Sequence, residues 1–256
     1  MYLVDYHIHP YGHGSNDFNV DALKKYIKKA KEMNINEIGF SDHDNYIDDI
    51  EWKYLFDITF EYDYRIKISM EFDYTPDKEE QLKQKITRLP FDYCIGSVHK
   101  IDNWEFDHPE YIDEYKKRDI DEVYRKYFIL LRKAVLSGIF DVIGHFDLIK
   151  VFNYRPQNID ILQLIEPVLE SIKKKDLVIE VNTNGLNKPV QEIYPSMKIL
   201  KRAFELDIPV TLGSDAHSPQ RVGEGIKEAA SLLHEIGYEK IATFKNRKKR
   251  PIPLII

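Results

Sequence analysis

Apolar residues along the chain alternate between two patterns, a short continuous run and then a longer stretch at helical spacing. Tyr2-Leu3-Val4 opens the first run and predicts a buried strand leading into Asp5-Tyr6-His7-Ile8-His9. Asn19 or Asp17 then caps a helix predicted from about Val20 to Met33, with Ala22, Leu23, Tyr26, Ile27 and Ala30 along one face. Further strands are predicted over Ile35–Phe40, Arg65–Met70, Tyr93–Val98, Phe140–Ile143, Leu177–Val181 and Ile208–Leu212. Helices follow them at about Ile50–Tyr62, Lys78–Arg88, Ile120–Ser137 with Gly138 as C-cap, Ile159–Lys175 with Pro167 as a kink point, Pro195–Leu206 and Pro219–Ile236.

This pattern amounts to seven strand-then-helix units, with no composition break and no internal repeat, so residues 1–256 are read as a single domain. Such alternation means a parallel sheet with helices outside it. An open, doubly wound sheet would gather its polar groups at one switch point. Here they end nearly every strand, which favours a closed TIM-like barrel of the α/β class with seven units rather than eight. The longest connection, Lys100 to about Arg118, is both acidic and aromatic and reads as a lid or substrate loop.

Composition narrows the class. With 43% hydrophobic and 31% charged residues the chain can bury a sizeable core and remain soluble. A net charge of −6 argues against broad nucleic-acid or membrane binding. No apolar run approaches the ~20 residues of a membrane span, and Asp5 and His7 interrupt any signal-peptide core. The single cysteine, Cys94, excludes an internal disulfide and fits a reducing cytoplasm, the expected location. The basic run Lys245–Arg250 has no interleaved aromatics and reads as a solvated tail.

Chemistry collects at the strand ends. Alternation places His7 and His9 on one side of the first strand. The later ends add His43, Glu71, His99, His145, Asp215 and His217, while His13 lies just past the first strand. Seven of the nine histidines therefore fall where a barrel points them at one mouth. His108 and His234 are given structural roles. Nitrogen and oxygen donors without a thiolate suit Zn²⁺, Fe²⁺ or Mn²⁺. Nine ligands are too many for one ion, whereas two or three ions could share a carboxylate. Metals about 3.5–4 Å apart can clamp a phosphoryl group around an activated water. Arg155 and Lys188 follow the fifth and sixth strands and are candidate holders of a substrate phosphate, with Lys100 and Arg118 as weaker ones. Asp147 is either a general acid or a partner that orients a ligand histidine, and Asp42 and Asp44 are expected to orient His43.

The motifs His7-Ile8-His9, Ser41-Asp42-His43, Glu71, Gly96-Ser97-Val98-His99, Gly144-His145-Phe146-Asp147 and Gly213-Ser214-Asp215-Ala216-His217 resemble the polymerase-and-histidinol-phosphatase (PHP) family. Within it, His13-Gly14-Ser15-Asn16-Asp17, Trp104-Glu105-Phe106-Asp107 and Asn182-Thr183-Asn184-Gly185-Leu186 are most similar to the monofunctional histidinol-phosphate phosphatases of histidine biosynthesis. The resemblance implies a distorted (β/α)7 barrel with a trinuclear centre. One ion would take His7, His9, Glu71 and Asp215. A second would share Glu71 with His99 and His145, and a third would sit among His13, His43 and His217. The implied activity is hydrolysis of L-histidinol phosphate to L-histidinol and phosphate by a metal-bridged hydroxide.

Three rivals stand beside that expectation. The same fold could act on nucleotides, oligonucleotides or phosphotyrosine. An amidohydrolase barrel also opens with H-x-H, but would not need His43 or the Asp215-Ala216-His217 pair. A degenerate metal-binding module that supports a partner would have lost ligands, and none of the expected positions lacks one.

Overall fold

Burial along the first strand, β1 (Val4–Ile8), sets the architecture. All five of its residues are buried, and its register against the next strand shifts between Asp5 and Ile8. A strand covered on both faces belongs inside a parallel sheet flanked by helices. A computed structural model, in which residues 2–14 and 16–254 are described, shows that sheet. Its seven parallel strands are β1, β2 (Glu37–Phe40), β3 (Arg65–Asp73), β4 (Tyr93–Ser97), β5 (Val142–Ile143), β6 (Val178–Asn182) and β7 (Val210–Gly213), and each pairs with its neighbour in sequence. Just beyond the last strand, His9 N donates to Ala216 O at 2.9 Å and Ala216 N to His7 O at 3.2 Å. Those two bonds draw the first and last strands together and nearly close a (β/α)7 barrel.

Helices α1 (Val20–Glu32), α2 (Trp52–Glu61), α3 (Glu79–Thr87), α4 (Ile120–Ser137), α5 (Ile161–Lys175), α6 (Met197–Glu205) and α7 (Ile226–Ile236) surround the sheet. Asn19 caps α1 by accepting from Ala22 N at 2.9 Å, and the five apolar residues expected on its inner face are buried. Gly138 ends α4 at φ 68°, a left-handed cap that costs glycine little. Helix α5 runs through Pro167 without a break, so that residue does not end it.

Three expectations are corrected. Strand β3 continues past Glu71 to Asp73, while β5 is only two residues long, and Phe140 before it packs against Phe72 and Tyr74. The connection after β4, expected as a lid or substrate loop, is well packed. It forms a two-residue hairpin (Lys100–Ile101 with Trp104–Glu105) and a 3-10 stretch, Pro109–Lys117, pinned by buried Trp104, Phe106 and Tyr115. The basic run is not a tail. It belongs to an antiparallel hairpin, β8 (Lys240–Lys245) and β9 (Lys248–Pro253), that covers the end of the barrel where the strands begin. There Arg247 pairs with Asp141 and donates to Ile139 O at 2.7 Å, and Phe244 packs against both Tyr6 and Tyr93.

Because Phe244 fills the floor of the barrel, Phe244→Ala is expected to cost about 3–5 kcal/mol. Calorimetry should show a melting temperature lower by roughly 10 °C, with the opposite end of the barrel undisturbed. A loss below about 1 kcal/mol would mean that the hairpin does not seal the core.

Candidate metal centre

At the other end of the barrel, the strand termini deliver histidines onto one carboxylate. Glu71, buried on β3, is met by His7 Nε2 at 3.3 Å, His9 Nε2 at 3.7 Å, His43 Nδ1 at 2.9 Å, His99 Nε2 at 3.5 Å and His145 Nε2 at 2.9 Å. Five imidazoles around one carboxylate exceed what its lone pairs can satisfy. Six buried ring nitrogens, His7 Nε2, both of His9, His43 Nε2, His145 Nδ1 and His217 Nε2, have no hydrogen bond among the described residues. Each buried polar group left unpaired costs about 1–3 kcal/mol. Converging donors of this kind fit divalent cations, and the residues present suit a metal site.

The donors fall into three groups whose atoms lie within 4.8 Å of one another: His7, His9 and Glu71; Glu71, His99 and His145; and His9, His43 and His217. Glu71 is shared by two groups and His9 by two. Asp215 joins through His9 Nε2 at 3.2 Å and His217 Nδ1 at 3.5 Å. His13 stands at the rim with its ring stacked 5.0 Å from His43 and 4.7 Å from His217, outside those three groups. Its neighbour in the motif, Ser15, lies outside the described residues.

Charge is divided unevenly over the cluster. Burial pushes the His9 imidazole well below its ordinary range, and the charges of His217 and His43 push it further. His13 is lowered in the same way to about 4. His7 is also driven down by burial, but Glu180, Glu71 and Asp215 outweigh this and hold it well above the usual value. Glu71 is held far below the carboxylate range, its own burial being overcome by His7, His99 and His43. The neutral imidazoles of His9 and His13 and the ionised Glu71 are in the protonation states that metal ligation requires, whereas the carboxylates around His7 and His99 favour their protonated forms, His99 being raised to about 10.

Several side chains that hold these groups carried no role in the sequence reading. Glu180 on β6 accepts from His7 Nδ1 at 2.5 Å, and its other oxygen accepts from His145 N at 2.8 Å and Asn182 Nδ2 at 3.2 Å. It needs room on both sides: a Cβ at Gly213 would fall 2.2 Å from its Oε1, and one at Gly144 3.6 Å from its Oε2. The signal was available, since Glu180 and Asn182 share the inner face of β6. Asp5 accepts from Ser214 N, Ser214 Oγ and Gly223 N at 2.8, 2.6 and 2.8 Å, tying β1 to the loop that carries Asp215 and His217.

Other predicted roles are corrected. Asp42 accepts from Tyr11 N and Gly12 N and so braces the loop before His13, and Asp44 accepts from Asp73 N and pairs with Lys85; their hydrogen bonds do not go to His43. The Asp147 carboxylate is buried against Lys150 Nζ at 2.9 Å and Ser196 N at 3.0 Å. Among the described residues it makes no hydrogen bond to a histidine of the cluster, and it does not line the cavity that leads to that cluster, so it is poorly placed as a general acid. That cavity, of about 630 Å³, is lined by Lys188 as expected, and also by Asp73, Lys100, Asp107 and His108. Arg155 is turned away into a neighbouring hollow, where Glu192 takes its Nη2 at 2.9 Å. Arg118 lies over Trp104 at 4.4 Å from the ring centre.

Comparison with known proteins agrees with this geometry. The PHP domain model matches residues 5–184. The chain is 37% identical over 187 residues to a Deinococcus radiodurans protein named "Probable histidinol-phosphatase", covering 73% of this chain and 70% of that one. It is 26% identical to a histidinol-phosphatase of Lactococcus lactis subsp. lactis, covering 97% and 96%. The fold superposes with a TM-score of 0.79 and 23% identity on the crystal structure of histidinol phosphate phosphatase from Lactococcus lactis subsp. lactis, complexed with zinc, L-histidinol and phosphate, covering 97% of this chain and 98% of that one.

Proposed function

The chain belongs to the PHP domain family, and on that premise we propose that it is a metal-dependent phosphomonoester hydrolase that converts L-histidinol phosphate to L-histidinol and inorganic phosphate. The observation that carries this is Glu71 with its ring of imidazoles at the base of a cavity that Lys188 also lines. The curated relatives named as histidinol-phosphatases support the choice of substrate.

Two or three divalent ions, of zinc, iron or manganese, are assigned to the cluster. His7, His9, Glu71 and Asp215 would hold one, Glu71, His99 and His145 the next, and His43, His217 and His13 a third, with His9 beside it. When bound, such ions neutralise phosphoryl oxygens and make water acidic enough to attack phosphorus at neutral pH. The chain's own residues do the rest. Glu180 keeps the Nδ1 proton on His7, so Nε2 faces the site as a lone pair. Lys188, which has no carboxylate partner among the described residues, neutralises phosphate charge at the wall. Arg155 can join it only by leaving Glu192.

The decisive assay compares phosphate release from L-histidinol phosphate with a panel of nucleotides, using protein reconstituted with each metal. Faster turnover of a nucleotide would overturn the substrate assignment. Within that assay, Lys188→Ala should raise KM for the phosphate ester roughly tenfold, the worth of one charge-assisted hydrogen bond. An unchanged KM would remove Lys188 from phosphate binding.

A further inference from the structure

We infer that Asp107 recognises a cationic group on the alcohol half of the substrate, the ammonium in the case of L-histidinol phosphate. The inference rests on the substrate reading above and adds the residue that reads the part of the substrate away from phosphorus.

The cavity's charges are mostly spoken for. Asp44 is paired with Lys85 at 2.5 Å and Glu105 with Lys100 at 2.8 Å. Asp73 accepts from His99 N at 3.2 Å and faces His99 Nδ1 at 3.4 Å. Asp215 accepts from Asn184 at 3.0 Å and faces His9. Asp107 lines the same cavity with no hydrogen bond to another residue's side chain and no ion pair among the described residues, and it belongs to none of the three donor groups. Burial pushes its carboxyl above the ordinary range, opposed by the charges of His99 and His145.

Nor is it free to swing into solvent. The chain on its N-terminal side is anchored by Trp104 and Phe106, both buried, with Phe106 edge-on to Tyr127 and Trp104 edge-on to Tyr115. A half-buried carboxylate held in place without a partner is costly unless a cation arrives from outside. On the cation side, Lys188 and the exposed Lys78 line the cavity without an ion-pair partner among the described residues. A cavity that leaves one anion and two cations unmatched among the described residues complements a phosphate ester whose alcohol carries a positive charge. A phosphate ester of a neutral alcohol would satisfy only the cations.

The test uses the zinc-loaded full chain and compares Asp107→Asn with wild type on L-histidinol phosphate and on p-nitrophenyl phosphate, whose alcohol is uncharged. The variant should raise KM for histidinol phosphate roughly tenfold or more, with kcat near wild type, while kcat/KM for the nitrophenyl ester and zinc content per chain stay unchanged. Asp107→Glu should recover part of the loss. Equal losses on both esters, or lost zinc, would place Asp107 in the chemistry or the metal site and overturn the inference, as would an unaltered KM. If wild type cleaved the nitrophenyl ester but not histidinol phosphate, the substrate assignment would fall and this inference with it. Wild type active on both, with an unaffected variant, would dismiss Asp107 alone.

Discussion

Glu71→Gln is expected to reduce phosphate release by about 10³-fold while leaving the barrel folded. Glu71 is the only side chain that all of His7, His9, His43, His99 and His145 approach among the described residues, and it is fully enclosed by them. The amide keeps the volume and removes the negative charge. Stripping a buried charge of its partner costs about 3–5 kcal/mol, and every 1.36 kcal/mol of barrel-mouth electrostatics lost from the transition state is about tenfold in rate. The amide nitrogen also introduces donors toward ring nitrogens that must present lone pairs. Metal content should therefore fall together with the rate. Elemental analysis, far-ultraviolet circular dichroism and phosphate release on the same sample check this. Wild-type turnover by the variant would contradict a shared carboxylate.

How far the sequence could be read depended on whether a signal was local. The period-two placement of His7 and His9, the cap at Asn19 and the glycine after Ser137 are all decided within a few residues, and the structure has each where expected. The β8–β9 hairpin was misread because its turn is unusual. Asn246 and Arg247 both take positive φ, 50° and 64°, a geometry usually marked by glycine at the second position. The cost of that conformation at an arginine is offset by the Asp141 and Ile139 contacts, which are distant in sequence. Arg155 and Asp147 were misjudged for a related reason. Their position after β5 was correct, but where their charges point depends on Glu192 and Ser196, brought in from the next strand–helix unit, and Glu192 also holds Lys150, the local partner of Asp147. Proximity along the chain places a side chain at the mouth of the barrel; the partner across the gap decides whether it faces the cavity.

The same dependence on distant partners makes Glu180 the second sensitive position. Every contact of its carboxylate is with a donor: His7 Nδ1 on one oxygen, His145 N and Asn182 Nδ2 on the other. In Glu180→Gln the amide NH₂ must face a donor whichever way it turns. If it faces His7, the ring can restore a hydrogen bond by moving its proton from Nδ1 to Nε2. That proton then occupies the lone pair directed at Glu71 and the metal position. If it faces His145, the backbone that presents the His145 ring loses its anchor. Either outcome weakens ligation without touching a ligand, and loss of such a supporting hydrogen bond typically costs about 10–100-fold in metal affinity. Competition with a zinc chelator should read that loss directly, and excess zinc should restore most of the phosphate release, which it cannot do for Glu71→Gln. Zinc affinity equal to wild type would mean that packing alone holds His7, and that the carboxylate beneath it is incidental to the centre.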